Sequence, residues 1–211
     1  MSFRRLAVSW MGAGMAAIAM MGVVACAGGG GGGDSDPVSA GLSSNFIADT
    51  SPSCPGSPDS LGLRKFSALG QTLTLGLEVT DCDASLGVYG TTFEIAFDPV
   101  IVQCTMSNPC QAGTVLSPPL ATTTPQCECD NGAGRILGVF SKKSPGGNES
   151  VSAAGMEDLV QIILKVRREG LGRVELLNTG TVNGSSLVTL SGTTPTAIPG
   201  LTYISGTVVG Q

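Results

Sequence analysis

Large apolar residues alternate with smaller or polar ones in the stretch 88–100. Phe93, Ile95 and Phe97 are spaced two residues apart, so a strand here turns three large apolar side chains to one face. Asp98-Pro99 then ends the strand, because proline has no amide hydrogen for a sheet ladder and disfavours helical geometry in the residue before it. The pattern predicts a core strand with which the other elements pair.

Other stretches share this two-residue period. The clearest is 71–79, in which apolar residues occupy every second position: Leu73, Leu75, Leu77 and Val79. In 135–141 the pattern places Leu137 and Val139 on one face, and in 173–177 it places Val174 and Leu176 inward. Shorter strands are predicted at residues 45–49, 101–104 and 201–209.

The stretch 157–168 fits two periodicities. Val160, Ile162, Leu164 and Val166 alternate as in a strand, whereas a second set of apolar residues follows a helical stripe. The β-branched residues and the Arg168-Glu169-Gly170 stop favour the strand. Eight or nine short strands separated by turn signals predict an all-β sandwich or jelly roll, and the low charged fraction of 13% agrees.

Charge and missing residue types exclude several functions. Removing the first 25 residues takes away Arg4 and Arg5 and leaves nine basic against sixteen acidic residues, a net charge of −7. This balance argues against nucleic acid as a partner. The chain has no histidine, which removes the common nucleophile systems and the commonest metal ligand. We therefore predict that the protein is not an enzyme and holds no cofactor.

The N-terminus has the pattern of a bacterial lipoprotein. Arg4 and Arg5 precede an apolar run that ends Val23-Val24-Ala25-Cys26, which is similar to a lipobox. The resemblance implies that residues 1–25 are a signal peptide, that lipid is attached to Cys26, and that the protein sits in the outer membrane or at the cell surface. Residues 26–44 are rich in Gly and Ser and predict a flexible tether, which leaves 45–211 as the folded domain.

Six cysteines follow Cys26, and an even number in an exported chain predicts three disulfides among Cys54, Cys82, Cys104, Cys110, Cys127 and Cys129. Cys127 and Cys129 face the same side of a strand, which disfavours a bond between them. An antiparallel neighbour then suggests Cys104–Cys129 and Cys110–Cys127, with Cys54–Cys82 remaining. Cys104–Cys110 is the rival pairing.

Oxygen ligands and aromatic rings are two further kinds of binding group in the sequence. Asp81, Asp83, Asp130 and Asn131 are of the type that binds calcium, but Asp and Asn are also ordinary turn residues, and we favour the turn interpretation. The only tryptophan, Trp10, lies in the signal, so flat platforms for sugar rings are scarce.

Taken together, the motifs resemble a cohesin domain of the cellulosomal type. They are the alternating strand 71–79, Phe93-Glu94-Ile95-Ala96-Phe97-Asp98-Pro99, the segment 112–116, Asn131-Gly132 with Arg135-Ile136, and the stretch 158–170. The similarity extends over residues 45–209.

The resemblance implies a nine-stranded jelly roll, related in fold to carbohydrate-binding modules. It also implies a non-catalytic module that docks a dockerin-like domain of an exported polysaccharide-degrading enzyme, with any calcium held by the partner. Two alternatives are a carbohydrate-binding module that acts on polysaccharide directly and a structural envelope lipoprotein without a specific ligand. The sequence identifies no interface residues.

Overall fold

The computed structural model describes residues 41–55, 57–83, 85–116, 122–143, 151–152, 155–178, 184–191 and 194–211. The chain divides into Met1–Val38 and Ser39–Gln211, and the description concerns the second unit. The predicted signal peptide, Cys26 and the tether up to residue 40 lie outside the described residues. Within the described part, no helix has the length and apolar character needed to cross a membrane.

The described secondary structure consists of strands. In chain order they are β1 (Ser44–Ala48), β2 (Ser60–Leu69), β3 (Thr72–Asp81), β4 (Gly87–Val88), β5 (Gly90–Phe97), β6 (Val102–Cys104), β7 (Cys110–Ala112), β8 (Thr122–Asp130), β9 (Arg135–Lys143), β10 (Val151–Ser152), β11 (Gly155–Val166), β12 (Gly170–Leu176), β13 (Ser186–Ser191), β14 (Thr194–Ala197), β15 (Thr202–Ile204) and β16 (Gly206–Gly210). The predicted eight or nine strands are therefore divided into more and shorter pieces.

Two sheets form a sandwich. The larger sheet runs β1–β16–β12–β5–β9–β8. On the edge of β5 away from β9, β12 pairs with the second half of the strand and β13, followed by β14, pairs with the first half. The smaller sheet runs β15–β2–β3–β11, and β6 and β7 pair one after the other with the same strand, β11. The described pairs are antiparallel apart from β15 with β2. The all-β sandwich prediction is confirmed.

The predicted core strands supply the core. Phe93, Ile95 and Phe97 of β5 are buried, as are the four alternating apolar residues of β3. β11 is a strand throughout, with a bulge between Asp158 and Val160, so the strand interpretation of this stretch is confirmed. The bulge turns both Leu159 and Val160 inward, which a strict two-residue period cannot do.

In β9 the apolar pair that the sequence pattern grouped on one face, Leu137 and Val139, does not lie on the face that packs in the core. Ile136 and Phe140 point into the core, and Leu137 and Val139 point to solvent. The inward position between the two core residues is Gly138, where an added Cβ would lie 2.0 Å from Cζ of Phe93. Glycine is thus required for the ring of the central strand to pack against β9.

Three disulfides form, and the prediction of a disulfide-bonded domain is confirmed. They join Cys54 to Cys82, Cys104 to Cys129 and Cys110 to Cys127, the same pairs as in the first arrangement above, and the rival Cys104–Cys110 pair is not formed. The last two disulfides connect β6 and β7, on the edge of the smaller sheet, to β8, on the edge of the larger one. They therefore close the sandwich along one side.

Candidate docking face

The solvent side of β8, β9, β5 and β12 forms a continuous strip of side chains, which we call the outer face. The ladders place these residues beside one another because residues directly opposite in an antiparallel pair share a face. The outer face consists of Gln126, Glu128, Asp130, Arg135, Leu137, Val139, Thr92, Glu94, Ala96 and Glu175.

Two exposed apolar residues form the centre of the outer face. Leu137 is 50% exposed and Val139 is 45% exposed, on the strand between β5 and β8. An open groove of about 550 Å³ is lined by both residues together with Gln126 and Glu128 of β8 and Asn108. Apolar groups surrounded by polar ones are typical of a protein-binding surface.

A buried carboxylate lies next to this apolar centre. Glu94 is opposite Leu137, its side chain is only 9% exposed, and it forms an ion pair with Arg135 on the neighbouring strand. Its backbone is fixed by Ser185, whose hydroxyl accepts from the Glu94 N–H at 3.1 Å and donates to its carbonyl at 3.3 Å. The ion pair and these backbone hydrogen bonds fix the position of the Glu94 carboxylate on the outer face.

A second ion pair lies on the same side of the sheet. Arg173 of β12 binds both carboxylate oxygens of Asp49, each at 2.6 Å. The hydrogen bond from Arg173 lowers the pKa of Asp49, and the same bond raises the pKa of Arg173. Arg135 and Arg173 are therefore each paired with a carboxylate, and among the residues that define the outer face Glu128, Asp130 and Glu175 add further acidic groups.

The acidic residues considered for calcium are separated by the fold. Asp81 and Asp83 lie with Asp59 in one group, whose ligand atoms are within 4.8 Å of one another. Their oxygens accept backbone N–H groups: Ser85 and Leu86 donate to Asp81, Ser85 also donates to Asp83, and Cys82 donates to Asp59. The hydrogen bonds from Ser85 lower the pKa of Asp83.

Asp130 and Asn131 have turn roles of their own. The Asp130 carboxylate accepts the N–H groups of Gly132 and Ala133, and the Asn131 amide binds both the N–H and the carbonyl of Cys104. These hydrogen bonds are those expected of turn residues.

A polar cluster interrupts the solvent side of the smaller sheet. Glu78 and Asp158 are opposite each other on β3 and β11, and Arg64 of β2 forms an ion pair with Glu78 at 3.1 Å. Burial raises the pKa of both carboxyl groups; Arg64 opposes this at Glu78 and the hydrogen bond from Gln161 opposes it at Asp158. Like charges directly opposite in a ladder are unfavourable, so this cluster costs stability at neutral pH.

Comparison with known proteins gives a match in structure rather than in sequence. No family model matches the chain, and no curated protein matches it. A type II cohesin domain from the cellulosome of Acetivibrio cellulolyticus superposes with a TM-score of 0.53 at 15% identity, over 72% of this chain and 94% of that domain. The chain has a cohesin fold.

Two further type II cohesins of Acetivibrio cellulolyticus show the same likeness. One is the cohesin of a cohesin–X-dockerin complex, with a TM-score of 0.51, 14% identity, and 69% of this chain and 94% of that one covered. The other is the second type II module of the ScaA scaffoldin, with a TM-score of 0.51, 12% identity, and 69% and 85% covered. The cohesin fold implied by the sequence motifs is thus confirmed. At 12 to 15% identity the likeness concerns the fold alone.

Proposed function

We propose that this protein is a non-catalytic binding module that docks a dockerin-like protein domain through the outer face. The observation that carries the proposal is the cohesin fold, since a cohesin of this fold is known in complex with an X-dockerin. Any calcium in the complex is held by the partner, and the partner is a domain of an exported polysaccharide-degrading enzyme.

The geometry of the outer face supports a protein partner. It presents Leu137 and Val139 at the centre of an open strip that spans four paired strands. Covering them removes from water the apolar surface that now remains exposed, which is the main favourable term in association. The acidic excess of the strip favours a partner whose contact surface carries Lys or Arg.

Export and anchoring complete the proposal. The three disulfides fit a protein that folds in an oxidising compartment. Lipid on Cys26 would then hold the domain at the cell envelope through the Gly-rich tether. Labelling cells with a fatty-acid analogue tests the anchor: the protein is expected to carry the label, and the Cys26→Ser variant is expected to lose it. An unlabelled wild-type protein would remove the anchor from the proposal.

Docking is tested by measuring the binding of purified dockerin domains from the same organism, with calcium and with a calcium chelator. We expect binding that depends on calcium and is at least tenfold weaker for Leu137→Asp. Half of this side chain is still exposed, so covering it contributes about 1 kcal/mol, and the added carboxylate stands beside Glu94 and Glu128.

Leu69→Asp is the matched control, because Leu69 is 84% exposed but belongs to β2 of the other sheet. Normal binding by Leu137→Asp would move the interface away from the outer face. Retention on insoluble polysaccharide without dockerin binding would favour the carbohydrate-binding alternative. A protein that binds neither would be a structural envelope lipoprotein.

A further inference from the structure

One end of the sandwich collects the strand ends around Ser44, where β1 begins, and we call it the tether end. The Ser44 hydroxyl lies 2.8 Å from a carbonyl of the turn between β2 and β3. The N–H of Val166 donates to the carbonyl of Gln71 in that turn, and the N–H of Arg167 donates to the carbonyl of Ile101, each at 2.8 Å. The tether end therefore consists of the segments 65–72, 98–101, 165–171 and 210–211.

The tether end carries the two most exposed large apolar side chains of the described residues. Leu69 is 84% exposed and Leu171 is 71% exposed, and Phe66 and Val100 at the same end are each more than half exposed. Leu69 belongs to the smaller sheet and Leu171 to the larger one, and packed sheets lie about 10 Å apart. Only a broad surface covers both at once, and exposed apolar groups gathered in this way mark an interaction site.

Basic side chains share this end with the apolar ones. The tether end holds four bases against two acidic side chains: Lys65, Lys165, Arg167 and Arg168 against Asp98 and Glu169. This local excess of bases contrasts with the net charge of −7 on the chain after residue 25. The Asp98 carboxylate is also engaged in its own loop, where it accepts the N–H of Val100 at 2.9 Å. Apolar groups together with Lys and Arg match a bilayer surface, in which acyl chains lie beneath phosphate headgroups.

The predicted tether brings this end within reach of a membrane. Cys26 lies 18 residues before Ser44, and a Gly-rich chain of that length spans about 25 Å. Lipid on Cys26 would hold the tether end at a high local concentration beside the bilayer, so a weak affinity is enough for contact. The inference rests on this anchor, which belongs to the proposed function.

We propose that the tether end docks onto the lipid bilayer that holds the anchor. The exposed apolar side chains around Leu69 and Leu171 enter the boundary between headgroups and acyl chains, and the basic side chains bind lipid phosphates. The strands then point away from the membrane. The outer face lies along the strands and not at their ends, so it stays open for a protein partner.

The test is quenching of tryptophan fluorescence by lipids with brominated acyl chains. The only tryptophan of the sequence, Trp10, lies in the predicted signal, so Leu69→Trp introduces a single reporter into the exported protein. The protein is purified from cells and incorporated into vesicles of phosphatidylethanolamine and phosphatidylglycerol. We expect brominated lipid to reduce the fluorescence of Leu69→Trp at least twofold and to leave that of the control Met156→Trp nearly unchanged. Met156 is 56% exposed but lies ten residues before Val166 on β11, about 33 Å away along the strand.

The outcomes separate this inference from the anchor itself, because the mass of the purified protein shows whether Cys26 carries lipid. If it does, absence of quenching for Leu69→Trp, or equal quenching of both variants, overturns the inference while the anchor stands. If it does not, the anchor has failed, and the protein is titrated with the same vesicles up to millimolar lipid. Preferential quenching of Leu69→Trp there still supports docking, and its absence overturns it. A shift in the Leu69→Trp emission that only the dockerin domain causes would also overturn the inference and assign the tether end to a protein partner.

Discussion

The two disulfides that join the sheets are nested, and this predicts a non-additive loss of stability when they are removed. Cys110–Cys127, with a sequence separation of 17, lies inside the loop closed by Cys104–Cys129, with a separation of 25. When the inner bond is present, the outer bond closes a loop of only about eight further residues. Each bond therefore constrains the unfolded chain less while the other is intact.

The magnitudes follow from loop-closure entropy. The inner loop alone is worth about 3.1 kcal/mol and the outer loop alone about 3.5 kcal/mol, whereas both together give about 5.6 kcal/mol. Replacing Cys104 and Cys129 by Ala should then cost about 2.5 kcal/mol, and replacing Cys110 and Cys127 about 2.1 kcal/mol. Removing both pairs should cost about 1 kcal/mol more than the sum of the two single removals.

The assay is urea denaturation at equilibrium, with the free energy of unfolding compared in a double-mutant cycle. The Cys54–Cys82 pair is the control, because it closes a separate loop with a separation of 28 and should cost about 3.6 kcal/mol. The free-energy cost of removing Cys54–Cys82 should add to the cost of removing either of the other two disulfides, with no coupling energy. A loss for the double removal that equals or falls below the sum would refute the nested-loop reasoning.

Three further predictions concern packing and charge. Gly138→Ala should lower the free energy of unfolding by about 1 to 3 kcal/mol, measured by urea denaturation, because its Cβ would overlap the ring of Phe93. Glu78→Gln should be more stable than the wild type at pH 7, because burial raises the pKa of Glu78 and the folded wild type resists losing this proton. The wild type therefore loses stability as the pH rises from the ordinary pKa of 4.5 to the raised pKa, and the difference between the two proteins should vanish below pH 4.5. Asp49→Asn should be slightly less stable than the wild type at pH 7, because the hydrogen bond from Arg173 lowers the pKa of Asp49 and the charged pair stabilises the fold. This difference should shrink below pH 3.8, where Asp49 becomes protonated. Thermal melts over a pH series measure the pH dependence of both variants.

Sequence patterns predicted the central strands because the large apolar residues of each lie on one face only. β3 and β5 alternate without interruption, so their inward residues could be identified by position alone. β2 was not predicted, since a bulge between Lys65 and Ser67 shifts its register and only its first half is buried. β8 was not predicted either: it is an edge strand that contains Pro125, and two disulfides take the place of apolar contacts.

The outer face could not be located from the sequence for a related reason. In β9 both alternating sets contain two apolar residues, and the inward set is interrupted by Gly138, so the pattern grouped Leu137 with Val139 on one face without showing that this face is the solvent side. Only the pairing with β5 shows which set faces the core.

Ser44 determines how a force applied at the N-terminal end of the domain would be distributed between the two sheets. Ser43 and Gln211 exchange backbone hydrogen bonds of 2.6 and 3.1 Å, so a pulling force applied at Ser43 enters at the edge strand β1. That strand alone would peel away from β16 one hydrogen bond at a time. The Ser44 hydroxyl, however, lies within hydrogen-bond distance of two carbonyls outside its own sheet, at 2.8 Å from Gly70 in the β2–β3 turn and 3.2 Å from Thr72 of β3. Tension at this end is therefore shared between both layers from the first residue of the strand.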